Sequence, residues 1–301
     1  MDRLEAMKIL VHVADNGSFS SASRISGVPL ATVSRKVQAL EAHLGTRLLV
    51  RTTRKVALTD AGFAYVASAR RILDQIEETE RVAAGEFYVP RGELILTAPV
   101  LFGRLHTLPV VTEFLAAYPE INIHLLLSDR NLDLIEDHVD LAVRLGPLPD
   151  SNMVATRIGS MRTVVCASPQ LLEKVGVPEK PNDLVGLPCI SFEFPILGST
   201  WSFRSKGGKG TADITIRPRL SVTTAEAAVW AASQGVGVTR VLRYQCADAV
   251  RNGSLRVILD DFEMEELPVH LLHPGGSMLP LKTRTFLDFA APRLRRRLLN
   301  I

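Results

Sequence analysis

The sequence predicts an α/β protein in three pieces: a small N-terminal unit of three helices and a hairpin, a long connecting helix, and a larger two-lobed α/β region. Three observations lead there. Apolar residues recur at helical spacing up to Gly45 and are punctuated by Gly17, Gly27 and Gly45. From Ala61 to Phe87 no proline interrupts a helical pattern. Beyond that, short β-branched runs alternate with helical stretches to the end of the chain. At 301 residues the chain can hold two or more domains, each with its own core.

Leu4, Met7, Leu10, Val11 and Ala14 define the first helix, which Gly17 stops. Ser18 is placed to cap the second, whose buried stripe is Phe19, Ala22 and Ile25. Gly27 ends it, and Pro29 suits the first turn of a third helix. Val33, Val37, Leu40 and Leu44 form the stripe of that helix. At 3.6 residues per turn, Arg35 lies roughly opposite the stripe, and Ala31, Thr32, Gln38, Ala39 and Ala42 share its outward face. Small residues beside Arg and Gln permit close approach to a groove, where Arg forks to a guanine edge and Gln to an adenine edge. Ser18, Ser20, Ser34 and Lys36 flank that face, with Lys36 suited to a phosphate.

Residues 48–50 read as a short strand, Arg51, Thr52, Thr53, Arg54 and Lys55 as a tip, and residues 56–58 as the return. This is a wing behind a helix-turn-helix, and cations at its tip reach a nucleic-acid backbone or minor groove. Residues 1–58 carry nine Lys/Arg against four Asp/Glu in a chain of net charge +3. A three-helix unit with a merely solvated charged surface is the bland alternative. The motif, more than the charge, points to double-stranded DNA as partner.

Thr59 can cap the next helix, with Asp60 beside its positive end. That helix is expected over residues 61–87, with Ala61, Tyr65, Ala69, Ile72, Ile76 and Val82/Ala83 as its seam. It either lies on its own domain or pairs with its copy in a second chain. Residues 86–92 read as a linker. Strands are then expected at 93–98, 121–127 and 139–143, around a helix at 103–118 whose apolar side is Leu105, Leu108, Val111/Thr112 and Leu115. A second unit follows, with strands at 154–158, 163–167, 189–192, 200–203, 211–216, 220–222 and 236–239 and helices at 169–175 and 224–234. A strand at 269–272 and a helix at 281–299 close the chain. Such alternation argues for largely parallel sheets. The expected division is 1–58, 59–90 and 91–301, with lobe I near 91–160 and 268–301 and lobe II near 161–267.

Open α/β sheets bind ligands beyond the carboxyl ends of their strands. Those ends here are Pro99, Val100, Phe102 and Gly103, then Arg144 and Gly146, then Phe192 and Phe194. Helix starts after Thr97 and at Thr223 and Thr224 offer N–H groups to an anion. Phe102, Phe192, Phe194 and Trp201 are candidates for an apolar wall, and Val238 completes the set. The ligand expected is a small organic acid, with Arg144, Thr223 and Thr224 near its carboxylate. Structural roles stand open beside this one: Arg144 tying the lobes, the aromatics filling cores, the threonines capping.

Other chemistry finds little support. His270 and His273 sit in a strand-like run, where that spacing does not put both on one face. Gly207-Gly208-Lys209-Gly210 lacks the strand-to-helix context and Ser/Thr of a phosphate loop. No Gly-x-Ser-x-Gly elbow occurs, and no catalytic set, metal site or cofactor is expected. Cys166, Cys189 and Cys246 read as buried, reduced thiols. No export signal and no membrane-length run is read from the sequence, so a cytoplasmic location is expected. Arg293, Arg295, Arg296 and Arg297 read as a solvated or interface cluster.

The residues from Leu4 to Gly62 resemble LysR-type transcriptional regulators, in the CrgA-like branch. The resemblance rests on Val13-Ala14, Gly17-Ser18-Phe19-Ser20, Ala22, Val33-Ser34-Arg35, Leu40-Glu41, Leu44-Gly45, Arg47-Leu48, Arg51, Arg54 and Leu58-Thr59-x-Ala61-Gly62. The chain departs from the family at Pro29-Leu30, among the base-reading positions, and at Leu49, where Phe is usual. The resemblance implies a periplasmic-binding-protein-like effector domain that binds a small-molecule effector. It also implies a homodimer through the linker helix, assembling to a homotetramer or larger, with RNA polymerase as a further contact.

Overall fold

The computed structural model describes residues 2–51, 56–83, 89–192, 200–205, 210–275 and 279–299. Helices α1 (Arg3–Asn16), α2 (Phe19–Ser26) and α3 (Leu30–Leu44) each end on a glycine. Gly17, Gly27 and Gly45 hold φ of 58°, 66° and 65°, left-handed backbone where a Cβ is penalised. Ala6, Ile9, Leu10, Val13, Ala22, Val33, Val37 and Leu40 form the shared core. Ile25 and Leu44, expected inside, are exposed. Both sit in last turns, where a helix runs past the neighbours that bury its middle.

Strands β1 (Leu49–Arg51) and β2 (Val56–Leu58) pair antiparallel, Leu49 facing Leu58. Glu41 anchors this hairpin to α3, its Oε1 accepting from the Leu48 and Leu49 N–H groups at 2.8 and 3.0 Å. Thr59 does the same for α4 (Asp60–Ala83): its hydroxyl accepts from Gly62 N–H at 2.9 Å and donates to Arg47 O at 2.8 Å. The inward stripe of α4 is Gly62, Val66, Ala69 and Leu73. The expected seam is therefore split. Tyr65 and Ala69 serve packing within the chain, and Ala61 and Ile72 face out with Phe63.

Two five-stranded sheets build the larger region. The first runs β4 (Ile121–Leu127), β3 (Gly92–Ala98), β5 (Leu141–Leu145), β14 (Leu267–Pro274), β6 (Met153–Met161). The second runs β11 (Pro218–Val222), β8 (Cys189–Phe192), β12 (Val238–Leu242), β7 (Thr163–Ala167), β13 (Arg256–Ile258). A hairpin of β9 (Thr200–Arg204) and β10 (Thr211–Thr215) lies beside the second sheet. Each sheet is half parallel and half antiparallel, not largely parallel. The reason is the double crossover: β6 passes into β7 through Arg162, and the chain returns through residues 263–266 into β14. Arg162 donates to Glu263 at 2.8 Å, and Ser160 donates to Glu266, so the two crossing segments are tied together.

The helix α5 (Val100–Ala117) crosses from β3 to β4. It begins three residues before its expected start, and residues 103–107 form i→i+5 bonds. The extra residue in that turn rotates the following face by about 100°. Val111 is buried and Leu105 and Leu115 pack against the core as expected, but Val110 and Phe114 are buried as well and Leu108 is exposed. By length and composition α5 could cross a membrane, yet it is a core helix here: Phe102 and Phe114 are fully buried against Phe286 and the β3 side chains. Helices α6 (Pro169–Val175), α7 (Ala225–Ser233) and α8 (Arg243–Arg251) belong to the second sheet, and α9 (Leu281–Leu298) packs on the first. Strand β13 and helix α8 were not expected; α8 is only nine residues long and polar on average, so no apolar run marks it.

All three cysteines are free and buried. Cys166 and Cys246 pack in one core cluster of the second lobe, Cys246 Sγ donates to Arg243 O at 3.4 Å, and burial pushes the Cys189 thiol up to about 11.

Candidate nucleic-acid and ligand sites

On α3, Val33, Val37 and Leu40 turn inward, and Ala31, Arg35, Gln38 and Ala42 are exposed on the opposite side. Thr32, Ser34 and Ala39 border them, half-buried. The outward face therefore has two polar side chains with long reach set among alanines. Lys36 points elsewhere: it forms an ion pair with Glu5 of α1, and only 22% of its side chain is exposed. Ser18 caps α2, its hydroxyl accepting from Ser21 N–H at 3.4 Å, and Ser20 is exposed on the first turn. Of Arg51 only the backbone is described, as the end of β1. Thr52, Arg54 and Lys55 lie outside the described residues.

The twelve residues expected around a ligand separate into groups. Phe102, Trp201 and Val238 are buried core residues, not walls. Trp201 packs with Phe203 and Ile214 under the β9–β10 hairpin. Phe192 is half-buried against the helix-covered face of the second sheet, and Phe194 lies outside the described residues. Gly103 is a packing residue: a Cβ there would stand 2.2 Å from Leu127 Cδ2. Gly146 turns the chain at φ 99° and donates to Pro268 O at 2.8 Å. Pro99 and Val100 are half-buried at the head of α5, and Thr223 and Thr224 are exposed at the head of α7.

Arg144 is the informative member. It is 7% exposed on β5, its Nη2 donates to Leu132 O, and no carboxylate lies within ion-pair reach among the described residues. Burial lowers its pKa. A guanidinium so placed needs an acceptor, because a buried unpaired charge costs several kcal/mol.

Sequence reasoning missed a set of residues at the cleft mouth. Asp129 Oδ1 accepts from Val100 N–H at 3.0 Å, so a carboxylate of the chain already sits on the α5 N-terminus. Thr224, which was expected, caps α7, its Oγ1 accepting from Ala227 N–H at 3.3 Å, the structural role left open for it. Arg104 of α5 donates to Glu226 of α7 at 2.6 Å, bridging the two sheets' helices. Asp129 and Glu226 also both lie near Tyr244, whose pKa is raised chiefly by its burial. Asp129 follows β4, the parallel neighbour of β3, and that position carried the missed signal.

Comparison with known proteins assigns both parts. Residues 4–63 match the family described as "Bacterial regulatory helix-turn-helix protein, lysR family", and residues 89–295 match "LysR substrate binding domain". An HTH-type transcriptional regulator of Xanthomonas campestris pv. campestris is 35% identical over 95% of the chain and 84% of its own length. The HTH-type transcriptional regulator CrgA of Neisseria meningitidis is 32% identical over 96% of both chains. The solved structure of CrgA superposes with a TM-score of 0.61 at 30% identity, covering 96% of this chain and 98% of its own.

Proposed function

This chain belongs to the LysR family of bacterial transcriptional regulators, and from that premise we propose that it is a sequence-specific DNA-binding regulator whose activity a small organic acid modulates. The division proposed is a DNA-binding unit at 1–58, a linker at 59–90 and an effector-binding region at 91–301, working where the DNA is. The observation that carries the DNA reading is the outward face of α3. Arg35 and Gln38 are exposed, the alanines beside them leave room for a groove floor, and Val33, Val37 and Leu40 opposite are committed to the core. Base reading is assigned to Arg35 and Gln38, with Ala31 and Thr32 alongside. Phosphate contact is assigned to Ser20, Ser34 and the wing cations. Ser18 and Lys36 have structural partners and contribute less.

For the effector, the carrying observation is buried Arg144 without a carboxylate partner among the described residues. An acid entering between the strand ends supplies one. Asp129 and Glu226 favour a second feature, a cationic group on the same ligand, so an amino acid is the alternative to a plain acid. A homodimer through α4 is proposed on its outward Phe63 and Ile72, and a larger assembly on the family.

A gel-shift series on the upstream intergenic DNA tests the main reading. One fragment should bind far more tightly than unrelated DNA, and Arg35→Ala should lose about 1–3 kcal/mol on that fragment alone. Equally weak binding to every fragment contradicts sequence-specific regulation.

A further inference from the structure

A second cleft opens between the lobes on the side of α8. It measures about 600 Å³. Its second-lobe wall is α8, with Arg243, Tyr244 and Arg251. Its first-lobe wall is α5 and α9, with Leu105, His106 and Arg297. Three arginines and a histidine thus face a single lining carboxylate, Asp248, which Arg251 already engages at 2.8 Å. Arg243 and Arg297 have no carboxylate within ion-pair reach among the described residues. Among the described residues Arg297 reaches only Leu105 O, at 3.4 Å, and neither its buried Nε nor the buried His106 Nε2 has a partner there.

The rest of the lining is apolar. Leu105 and the Tyr244 ring stand beside Ala247, Val250 and Val257 of the second lobe. Tyr244 packs edge-on to Phe102 and His106, with centroids 5.8 and 5.6 Å away, so the floor is a stacked aromatic cluster shared by both lobes. A concave surface with apolar walls and few convergent cations has the chemistry of a small-anion site.

We propose that this cleft is a second ligand site, taking a small aromatic carboxylate whose acid group sits between Arg243 and Arg297 and whose ring lies along Leu105 and Tyr244. Its lining includes none of the residues expected at the strand ends, where Arg144 is the available cation. Its two walls belong to different lobes, so a bound ligand fixes their relative orientation. Binding there and at the strand-end cleft would therefore be coupled, since each ligand prefers one lobe angle.

Calorimetry on the full chain tests this, with phenylacetate as the probe and phenylacetamide as its neutral isostere. Phenylacetate should bind saturably and the amide at least tenfold more weakly. Arg243→Gln and Arg297→Gln should each weaken phenylacetate at least fivefold, and Arg144→Gln, which tests the strand-end cleft, should leave that binding within twofold. Melting curves select variants that remain folded, and Ala247→Trp, which fills the cleft from an unpaired position on α8, provides a second route to loss of binding. Absence of binding to the wild-type chain, equal affinity for the amide, or loss through Arg144→Gln alone overturns the proposal.

Discussion

Gly62 shows how a single residue sets the geometry of the DNA-binding unit. A Cβ on it would lie 2.0 Å from Leu48 O, so α4 can approach the wing only with glycine there. Gly62→Ala should lower the melting temperature by several degrees, corresponding to about 1–3 kcal/mol of overpacking, and calorimetric melting reads it directly. An unchanged melting temperature would mean that α4 does not pack so closely. Glu41 is comparable: it lies beside the reading face but its carboxylate is used on two wing amides. Much at this scale was legible, including the three αL glycines, the caps at Ser18 and Thr59, and the opposed faces of α3. What was not legible depended on partners distant in sequence. Nothing local to Lys36 announces Glu5, and nothing local to Phe102 or Trp201 says that they fill cores rather than line a cleft.

Among elements, α4 links both parts of the chain. Arg70 pairs with Asp15 of α1 on one side, and Lys282 of α9 donates to Asp74 at 2.7 Å on the other. One stripe of the helix is thereby consumed, and Phe63, 63% exposed, stands on another. A large aromatic left in water on a helix this long is the place to look for a second copy. If the proposed dimer forms through this face, the wild type should scatter as a dimer at micromolar concentration and Phe63→Asp as a monomer, with unchanged circular dichroism. Retention of the dimer would move the interface elsewhere. The helical and strand periods predicted most elements, because apolar alternation survives in a single sequence. They failed in two places: the i→i+5 turn of α5 shifted part of its buried face, and α8 was passed over because it is short and polar on average. The antiparallel half of each sheet was also hidden, since it comes from crossing between lobes.

For the whole molecule, the two lobes meet at the paired crossing segments, the Arg104–Glu226 bridge and the Tyr244 cluster. His106 titrates inside that cluster. Burial, and then Arg297 of α9, lower its pKa to about 4, and Tyr244 of α8 packs against its ring. With the folded value below the ordinary 6.5, the unfolded chain binds the extra proton between those pH values. His106 therefore adds stability that is complete above about pH 6.5 and is lost as pH falls towards 4. As pH falls from about 6.5 towards 4, the wild-type melting temperature should drop relative to that of His106→Leu; a constant difference would contradict it. The reading of the molecule as a regulator depends most on how α3 meets DNA, and guanine-N7 methylation interference on the tightest upstream fragment measures that most directly. Premethylation of a few guanines, disposed in two half-sites one helical turn or a multiple apart, should block wild-type binding. Arg35→Ala should become insensitive to one such guanine in each half-site. Binding indifferent to every major-groove methyl group, with an Arg35→Ala pattern identical to wild type, would show that α3 does not read the groove.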